Sequence, residues 1–465
     1  MKRPDYDIVV VGHGAAGLTA ALSAAECARE AGRQLRIAVL ERAPKGKHGG
    51  NTRFTPCYMR MEETNRVSPE FVNEMLEASG GRNQAAYFEL LAERAPSTLS
   101  WLQAHGIEFH KPVYYLAAGP NRIQPVGGGE TIVRELTRAA EAAGVEFLYD
   151  CRVRKLLTAS SGAVSGIALT EDGTDRILGT SAVVLACGGF QGNTAMLRDQ
   201  FGLHGETLRP ISPGTRFNTG DGIRMALEAG AVAAGDWHGM HIEPIDPRAE
   251  NPAPVVLVYP YGIVVDQNGR RFFDEGAGLV HETWEEFARA VHFEAPGSIA
   301  YAVLDRKLSE IENYGRAIRS EVPPVEAPSL TELADLIQVP AEELLQTVSA
   351  YNEACTGPAR RFGASFKDGL ATTPGLSPAK SNWARPLEEP PFIAWPLVGA
   401  IAYTFGGLGT DTDGRVLGTC GAIEGLYAAG EITGHFHGTA PNAVSVLRAI
   451  VYGRIAGWSS VMGLG

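Results

Sequence analysis

The start of the chain alternates between apolar runs and glycine-rich turns in the order strand, helix, strand. "YDIVVVGHG" is a continuous β-branched run stopped by glycine, which predicts a buried parallel strand. "AAGLTAALSAAECAREAG" predicts an alanine-rich helix that closes at Gly32. "LRIAVLER" predicts a second strand, so this stretch forms one βαβ unit.

The pattern then changes from helical to strand-like. Amphipathic segments predict helices within residues 66–105 and over 130–143, and the latter leads into "VEFLYDCRVRKLL". "GAVSGIALTEDG…RILGTSAVVLACGG" predicts the strands of a β-hairpin. "FNTGDGIRMALEAGA" opens a further helix at Gly220–Asp221.

A different pattern begins at about residue 236. Proline-rich loops precede "SLTELADLIQVPAEELLQTVSAYNEAC", whose two helical segments have no place in a Rossmann alternation, whereas the tail "GLYAAGEIT…LRAIVYGRIAGWSS" returns to strand, glycine and helix. A separate second domain would explain that return, but we prefer one interrupted domain. The predicted fold is α/β, a discontinuous Rossmann-like nucleotide-binding domain over 1–235 and 381–465 with an inserted α+β capping domain over 236–380.

Composition describes a globular protein and excludes several partners. The 465 residues are too many for one core, and 45% are hydrophobic and 20% charged. A net charge of -12 without Lys/Arg stripes argues against nucleic acid. The six cysteines include no C-x-x-C pair, so we expect free thiols and no bound metal. With no apolar leader and no run near the ~20 residues that span a bilayer, we expect a cytoplasmic location and leave docking on a membrane partner open.

A Gly-x-Gly-x-x-Gly run joins the first strand to the first helix. Gly12 allows the tight turn, Gly14 lets the backbone approach a pyrophosphate, and Gly17 permits close packing of helix on strand. The helix N-terminus adds free N–H groups and a positive dipole end. Glu41 follows Gly17 by 24 residues at the end of the second strand, where an acid can accept hydrogen bonds from a ribose. The motif predicts a dinucleotide site.

Three features favour FAD over NAD as the dinucleotide. "KHGGNTRFT" supplies a second glycine-rich segment that suits a ring system. "VVLACGGFQGN" and "EGLYAAGEITG" are apolar strands that end in small residues, as expected along an extended cofactor. No second G-x-G-x-x-G unit marks an NAD(P)H domain, so we expect electrons to pass through a substrate, a quinone or a partner protein.

Seven ordered segments resemble the flavoprotein family of fumarate reductase and succinate dehydrogenase. They are "VVVGHGAAGLTAAL", "GGNT", "VLACGGF", "TGDGIRMA", "GRRFFDE", "FGGLGTDTDGRVL" and "GLYAAGEITG…GRIAG". The resemblance implies a discontinuous FAD domain with an inserted cap and an active site between them. Within the family, "GDWHGMHIEPID", "FFDEGAG", "YTFGGLG" and "GHFHGTAPNAVSVLRA" look most like tricarballylate dehydrogenase flavoproteins.

The resemblance also assigns cofactor contacts. The predicted FAD-binding residues are Gly12, Gly14, Ala15, Ala16, Gly17, Glu41, Arg42, Gly49, Gly50, Asn51, Thr52, Val153, Ala186, Gly188, Gly189, Asp221, Gly430, Glu431, Ala443 and Val444. Respiratory members of the family attach FAD through a histidine beside the GGNT-like segment. That place holds Asn51 here, so we predict noncovalent FAD, with His48 as the one competing attachment point.

Departures from the family limit what is expected of the active site. Three functional residues of the fumarate reductases are replaced in this sequence. Leu279 stands where the resemblance expects the arginine that donates a proton, and the region of Ala440–Pro441 stands where it expects the arginine that binds the substrate. Tyr403 replaces a histidine of the family. We therefore do not expect fumarate reduction.

A flavin dehydrogenase needs a proton acceptor and cations or donors that hold an activating carbonyl or carboxylate. The predicted catalytic residues are His241, Tyr403, His437, Arg448 and His281. Each of these residues could instead have a structural role. The histidines could bond to the backbone or lie on the surface, Tyr403 could be a packed aromatic ring, and Arg448 could cap a helix. His238, His435, Arg53, Arg60 and Arg216 are weaker candidates.

The predicted function is an FAD-dependent dehydrogenase or reductase of a C–C bond beside a carboxylate or carbonyl in a small organic acid, most like tricarballylate dehydrogenase. Two alternatives stay open at this point. One is a 3-ketosteroid-type dehydrogenase or 2-enoate reductase, which Tyr403 and the lost arginines favour. The other is an electron-transfer subunit that serves a membrane-bound iron–sulfur partner, or a quinone.

Overall fold

A computed structural model describes residues 4–113, 116, 121–357 and 361–464. The strands are β1 (Tyr6–Val11), β2 (Ile37–Leu40), β3 (Phe109–His110), β4 (Gln124–Pro125), β5 (Glu146–Leu148), β6 (Cys151–Thr158), β7 (Val164–Glu171), β8 (Thr174–Leu185), β9 (Arg209–Pro210), β10 (Ala233–Ala234), β11 (Met240–Ile245), β12 (Ile263–Asp266), β13 (Ala300–Leu304), β14 (Val325–Ala327), β15 (Phe392–Thr404), β16 (Gly407–Leu408), β17 (Arg415–Gly418) and β18 (Gly421–Ala428). The helices are α1 (Ala15–Glu30), α2 (Phe71–Glu77), α3 (Ala85–Ala104), α4 (Gly128–Ala142), α5 (Thr194–Phe201), α6 (Asp221–Glu228), α7 (Val280–Phe293), α8 (Leu330–Ile337), α9 (Ala341–Ala354) and α10 (Ser445–Met462).

The first sheet contains the predicted βαβ unit at its centre. Its strand order is β17-β18-β8-β1-β2-β5, and β7 and β6 continue from β8 as antiparallel neighbours. The central pairs β18–β8, β8–β1, β1–β2 and β2–β5 are parallel. Because β18 comes from the far end of the chain and pairs with β8, the domain is discontinuous in sequence, as the tail pattern predicts.

Two helices at opposite ends of the chain cover the same part of this sheet. Helix α1 and helix α10 share one hydrophobic core with β1 and β2. Their backbones approach closely, since a Cβ at Gly457 would lie 2.1 Å from the Ala20 oxygen and one at Gly453 would lie 2.5 Å from the Ala16 oxygen. The two glycines of "GRIAG" therefore allow the last helix to pack closely against the first.

The second sheet belongs to the inserted region and is mostly antiparallel. Strand β15 is its spine, pairing with β11, β13 and β14 in antiparallel fashion and with β9 in parallel. Strand β12 extends the sheet from β13, and α7 packs against β11 and β15. Helices α8 and α9 form a small core with β14 and β15.

The predicted fold class is confirmed: a mixed α/β chain with a discontinuous Rossmann-like part and an inserted α+β part. The domain borders at 235 and 380 remain predictions. Two strands of the second sheet lie outside the predicted range of the capping domain. Strand β15 follows residue 380, and β9 precedes residue 235.

Candidate active site

A long cleft is lined by residues from both sheets and runs past the carboxyl ends of β1, β2 and β8. Parallel α/β sheets place their ligands at that edge. The predicted cofactor residues that line it are Gly12, Gly14, Ala15, Ala16, Glu41, Arg42, Gly50, Asn51, Thr52, Val153, Ala186, Gly188, Asp221, Gly430, Glu431 and Ala443. The predicted catalytic residues that line it are His241, His281, Tyr403 and Arg448.

The glycine turn leaves the N-terminus of α1 open toward the cleft. Gly14 is the N-cap and offers no side chain, while the Ala15 N–H donates to the Thr52 hydroxyl at 3.1 Å. Gly12 has a φ of 111°, and a Cβ there would lie 2.4 Å from the Ala186 oxygen. The turn thus requires glycine at 12, and the first turn of a 16-residue helix with no side-chain cap at Gly14 lies at the cleft, where its backbone N–H groups suit a ligand anion.

Glu41 is buried at the end of β2 and is oriented by the backbone. Its carboxylate accepts the N–H groups of His13 at 3.0 Å and of Ala43 at 2.7 Å. Burial raises the pKa of Glu41, against the effect of these two donors. The carboxylate keeps further acceptor positions for hydroxyl groups in the cleft.

Next to Glu41, the cleft wall is fixed by an ion-pair cluster around Asp221. Arg152 donates to both carboxylate oxygens at 2.9 and 3.1 Å, and Arg42 approaches one of them at 3.4 Å. The first residue of α6 is thereby tied to the ends of β2 and β6. Asp221, Arg152 and Arg42 therefore form a polar part of the cleft wall whose side chains are held by ion pairs.

Asn51 sits where the resemblance expects a covalent attachment point. Its amide N–H donates to the Ala402 oxygen at 2.9 Å, and its amide oxygen accepts the hydroxyls of Ser212 and Thr215 at 2.9 Å each. His48 does not line the cleft; its Nδ1 accepts the Gly46 N–H, and its ring lies 4.5 Å from the His13 ring.

Arg448 is fully buried on the first turn of α10 and borders the cleft. Its guanidinium stacks on Phe436 at 3.7 Å, and Nη1 donates to the Thr433 oxygen at 3.3 Å. In the part of the chain that the structure describes, Nε and Nη2 have no hydrogen-bond partner. A buried cation with unpaired donors is costly unless a ligand supplies acceptors.

His241 lies between two carboxylates. Its Nδ1 is 2.5 Å from Glu285 on α7, and its Nε2 is 3.0 Å from Glu243 on the same strand. Burial would lower the pKa of His241, but the hydrogen bonds to the two carboxylates outweigh it and raise the pKa to about 10. Both ring nitrogens of the resulting imidazolium are occupied, so the predicted role of His241 as a base requires a proton to leave toward one of the glutamates.

Tyr403 adjoins this cluster on β15. Its ring centroid is 5.0 Å from that of His241, and burial together with the charges of Glu285 and Glu243 raises its pKa far above the ordinary value. The hydroxyl is therefore neutral at physiological pH and acts as a donor. Trp284 completes an aromatic wall, with its ring 6.3 Å from that of His241.

The sequence patterns missed two arginines at this end of the cleft. Arg122 and Arg319 both stack on the Tyr58 ring, at 5.4 and 5.7 Å, and Arg319 donates to the Tyr58 hydroxyl at 2.9 Å. All three residues line the cleft. Their segments carry no motif, so only the fold brings them together.

Several predicted site residues lie outside the cleft lining. His437, predicted to face the flavin, instead approaches Asn83 at 3.0 Å. Gly17 and Gly189 serve packing, since a Cβ would lie 1.9 Å from the Gly12 oxygen and 2.2 Å from the Thr404 hydroxyl, respectively. The remaining residues outside the lining are Gly49, Val444 and the weaker candidates Arg53, Arg60, Arg216, His238 and His435.

The residues that line the cleft fit FAD. The uncapped helix N-terminus suits a pyrophosphate, Glu41 suits a ribose, and the unpaired donors of Arg448 suit acceptor atoms farther along. Within the described ranges, no group of three or more His, Cys, Asp or Glu side chains is arranged to hold a metal ion. No helix of the described residues is both long and apolar enough to cross a membrane.

Comparison with known sequences agrees with this cleft. The profile of a family described as "FAD binding domain" matches residues 7–446. An NADH:acrylate oxidoreductase of Vibrio harveyi is 30% identical over 80% of this chain and 36% of its own length. A vinyl phenol reductase of Lactiplantibacillus plantarum is 27% identical over 98% of this chain and 96% of its own length. The chain thus spans about a third of the first relative and nearly all of the second.

Solved structures show the same fold. A flavocytochrome c3 fumarate reductase in its open conformation superposes with a TM-score of 0.79 at 23% identity, covering 99% of this chain and 78% of that one. A 3-ketosteroid-Δ4-(5α)-dehydrogenase from Rhodococcus jostii RHA1 superposes with a TM-score of 0.72 at 25% identity, covering 99% and 98%.

Proposed function

This chain belongs to the FAD-binding flavoprotein family of the fumarate reductases, and from that premise we propose that it is an FAD-dependent oxidoreductase of C–C bonds beside a carboxylate or carbonyl. The observation that carries the proposal is the continuity of one cleft from the open N-terminus of α1 to the cluster of His241, Glu285 and Tyr403. Bound FAD supplies hydride transfer there.

The residues that line the cleft differ in chemistry along its length. We propose that the α1 N-terminus and Glu41 hold the ADP half, and that Asn51 and Arg448, which was predicted as a catalytic residue, contact the flavin half. We propose that FAD is bound noncovalently, because Asn51 has no nucleophilic side chain and His48 is not among the residues that line the cleft. Acid denaturation followed by filtration should release all of the yellow colour. Colour that stays with the protein would contradict noncovalent binding.

The substrate is a small organic acid, as in the tricarballylate dehydrogenases that the chain resembles. Arg122 and Arg319 supply planar cations for a carboxylate beside the aromatic wall. Tyr403 supplies a neutral hydrogen-bond donor next to the reacting carbons. The relatives named for acrylate and vinyl phenol show that members of this family reduce activated double bonds.

An uncharged carbonyl substrate of the 3-ketosteroid type is the second candidate. It is favoured by Glu285 and Glu243, whose negative charges add to burial in raising the pKa of Tyr403. A substrate carboxylate placed at the Tyr403 hydroxyl would face this negative charge, whereas a ketone would accept the hydroxyl without repulsion.

Electrons must enter or leave the flavin during turnover. We propose that an iron–sulfur partner or a quinone exchanges electrons with the flavin, and that the protein is cytoplasmic and docks at a membrane partner. Copurification with a membrane protein that carries an iron–sulfur cluster would support this, and full turnover with a soluble dye alone would not distinguish it from a free-standing dehydrogenase.

Stopped-flow spectroscopy of the holoenzyme tests the function. Mixed without oxygen, tricarballylate should bleach the flavin if the organic-acid proposal is correct, and 4-androstene-3,17-dione should do so if the steroid alternative is correct. The photoreduced enzyme should be reoxidised by acrylate, but not by fumarate, if the enzyme works as a reductase. Failure of tricarballylate, 4-androstene-3,17-dione and acrylate to change the flavin spectrum would contradict the proposed function.

A further inference from the structure

Arg448 is a fully buried cation that borders the cleft without a carboxylate to balance it. It lies on the first turn of α10 and is among the residues that line the cleft. Within the described ranges, its guanidinium forms no ion pair, and its Nε and Nη2 have no hydrogen-bond partner. Arg448 therefore brings an unbalanced positive charge and two nitrogens with unused donors to the cleft.

The groups that surround the guanidinium are neutral. The Phe436 ring stacks on it at 3.7 Å, and Thr433 offers one backbone oxygen at 3.3 Å from Nη1. Burial raises the pKa of the nearby Tyr87 hydroxyl. Burial, together with the charge of Arg448, lowers the pKa of His435 to about 3. Both of these side chains are therefore neutral at physiological pH and leave the guanidinium unbalanced.

Glu431 is the acid on the same tail segment, but it does not act as the counter-ion. Its carboxylate accepts the Thr404 N–H at 3.0 Å and the Gln191 amide at 3.1 Å. Burial raises the pKa of Glu431, against the effects of these donors and of the Arg448 charge. An acid that is weakened by burial and bonded to other donors leaves Arg448 without a partner.

The position of Arg448 indicates which ligand completes this site. A buried guanidinium without a counter-charge is costly, so a ligand that carries negative charge is expected beside it. The Arg448 N–H donates to the Val444 oxygen at 2.8 Å, and its Nη1 reaches the loop that follows Glu431, so it contacts two segments that the resemblance assigns to the cofactor. A substrate carboxylate has its own cations in Arg122 and Arg319. The charge of Arg448 is therefore available to the flavin.

We propose that Arg448 balances the negative charge that FAD gains on reduction and thereby favours oxidation of the substrate. The inference rests on the proposed function. In that reaction, one substrate carbon loses a hydride to the bound FAD, the neighbouring carbon loses a proton to solvent, and the C=C bond forms between them. The hydride carries two electrons and one proton, so one negative charge appears at the flavin end of the cleft. A cation held there by the protein stabilises reduced FAD relative to oxidised FAD.

The midpoint potential of the bound flavin measures this charge without any substrate. Arg448→Met removes the charge and keeps a side chain of similar length. In an anaerobic, dye-coupled titration of the holoenzyme, this variant should lower the ratio of reduced to oxidised FAD at a fixed potential at least about tenfold, or about 30 mV. Arg448→Lys keeps the charge and should stay within about threefold of the unmodified protein. An unchanged potential in Arg448→Met, or an equal fall in Arg448→Lys, would overturn the proposal.

Arg454 on the same helix provides the matched control. It also stacks on an aromatic ring, Trp101 at 4.8 Å, and donates to the Thr98 hydroxyl at 3.3 Å, but it does not line the cleft. Arg454→Met should therefore leave the flavin potential unchanged. A fall as large as that in Arg448→Met would show that the loss of either arginine disturbs the helix, and it would count against a charge effect of Arg448 on FAD.

Unfolding of the apoprotein gives a second readout that does not require bound FAD. Since an unbalanced buried cation destabilises the empty protein, Arg448→Met should have a urea midpoint equal to or above that of the unmodified apoprotein. An arginine that serves only to hold the fold predicts a lower midpoint. That result would overturn the proposal even if the variant no longer held FAD.

The outcomes of this inference and of the proposed function are separable. Failure of every test compound to change the flavin spectrum, with a lowered potential in Arg448→Met, would contradict the proposed function and leave Arg448 as the counter-charge of reduced FAD. Weaker binding of tricarballylate by Arg448→Met at an unchanged potential would make Arg448 a substrate anchor. It would overturn the inference while the proposed function stands.

Discussion

Gly12 and Gly14 look alike in the sequence motif but are required for different reasons. A Cβ at Gly12 would collide with the Ala186 backbone at 2.4 Å, and its φ of 111° disfavours any other residue. A Cβ at Gly14 would lie 3.4 Å from the Thr52 hydroxyl and 3.9 Å from the Gly49 oxygen, which are ordinary contacts, and its φ of -80° suits any residue. The protein alone therefore needs glycine at 12, whereas at 14 the need comes from a ligand that approaches the backbone.

We accordingly expect Gly14→Ala to spare the fold and weaken cofactor binding. Its free energy of unfolding without FAD should stay within about 1 kcal/mol of the unmodified protein, while the Kd for FAD should rise at least about tenfold, or about 1.4 kcal/mol. Flavin-fluorescence titration and urea denaturation measure the two quantities. Gly12→Ala is the contrast and should lose about 2 kcal/mol or more of stability. Unchanged FAD affinity in Gly14→Ala would refute the assignment.

At this scale, local sequence predicts residues whose position is fixed by a spacing within one structural unit, and it fails for side chains that separate segments bring together. Gly12 and Glu41 follow from a fixed spacing within one βαβ unit, so their positions in the cleft were predictable. Glu285 and Arg319 reach the cleft from separate cap segments, and their side chains meet His241 and Tyr58 only after folding. His437 was placed by resemblance, but its ring turns toward Asn83.

Among the elements, α10 depends on α1 for its position. The two helices contact each other closely at Gly453. A Cβ there would lie 2.0 Å from the Thr19 hydroxyl, so a larger residue would push the helices apart. Helix α10 also carries Arg448, and its first turn follows the loop of Ala440. A shift of this helix therefore moves cofactor and substrate contacts together.

Gly453→Ala tests this coupling between packing and site. We expect the variant to lose about 1–3 kcal/mol of unfolding free energy through overpacking, and to bind FAD more weakly because Arg448 moves with the helix. Gly315→Ala makes the same chemical change where no atom lies within 4 Å, and should behave as the unmodified protein. Chemical denaturation and FAD titration of both variants provide the measurement. A Gly453→Ala protein of unchanged stability would contradict the close packing.

Secondary structure could be predicted where a segment is either a short apolar run or has a clear helical repeat of apolar residues. Strand β1 and the last four residues of β8 are apolar runs, and α8 and α9 have clear helical patterns. Strand β15 escaped prediction because "FIAWPLVGAIAYT" has no alternation and contains Pro396. It is nearly continuous in apolar character because it is buried along most of its length by the second sheet and α7. The burial of β15 on both faces becomes visible only once its partner strands and helices are known.

At the scale of the molecule, the cleft joins the two sheets, because the described residues that line it run from Val11 to Ala449 and belong to both sheets. The first sheet supplies the phosphate turn, and the second supplies His241 and Tyr403 from β11 and β15. A dinucleotide that spans the cleft therefore contacts both parts at once. Binding energy gained along its length stabilises their association as well as each part alone.

FAD should consequently stabilise the chain as a unit. At a free FAD concentration 100 times Kd, linkage predicts about 2.7 kcal/mol of added unfolding free energy. ADP reaches only the α1 and Glu41 end and should add less at the same concentration. Calorimetry of the reconstituted protein should show one transition whose Tm rises with FAD, and Gly14→Ala should need proportionally more FAD for the same rise. Two resolved transitions, only one of which responds to FAD, would show that the cofactor binds one sheet alone and that the second sheet takes no part in holding it.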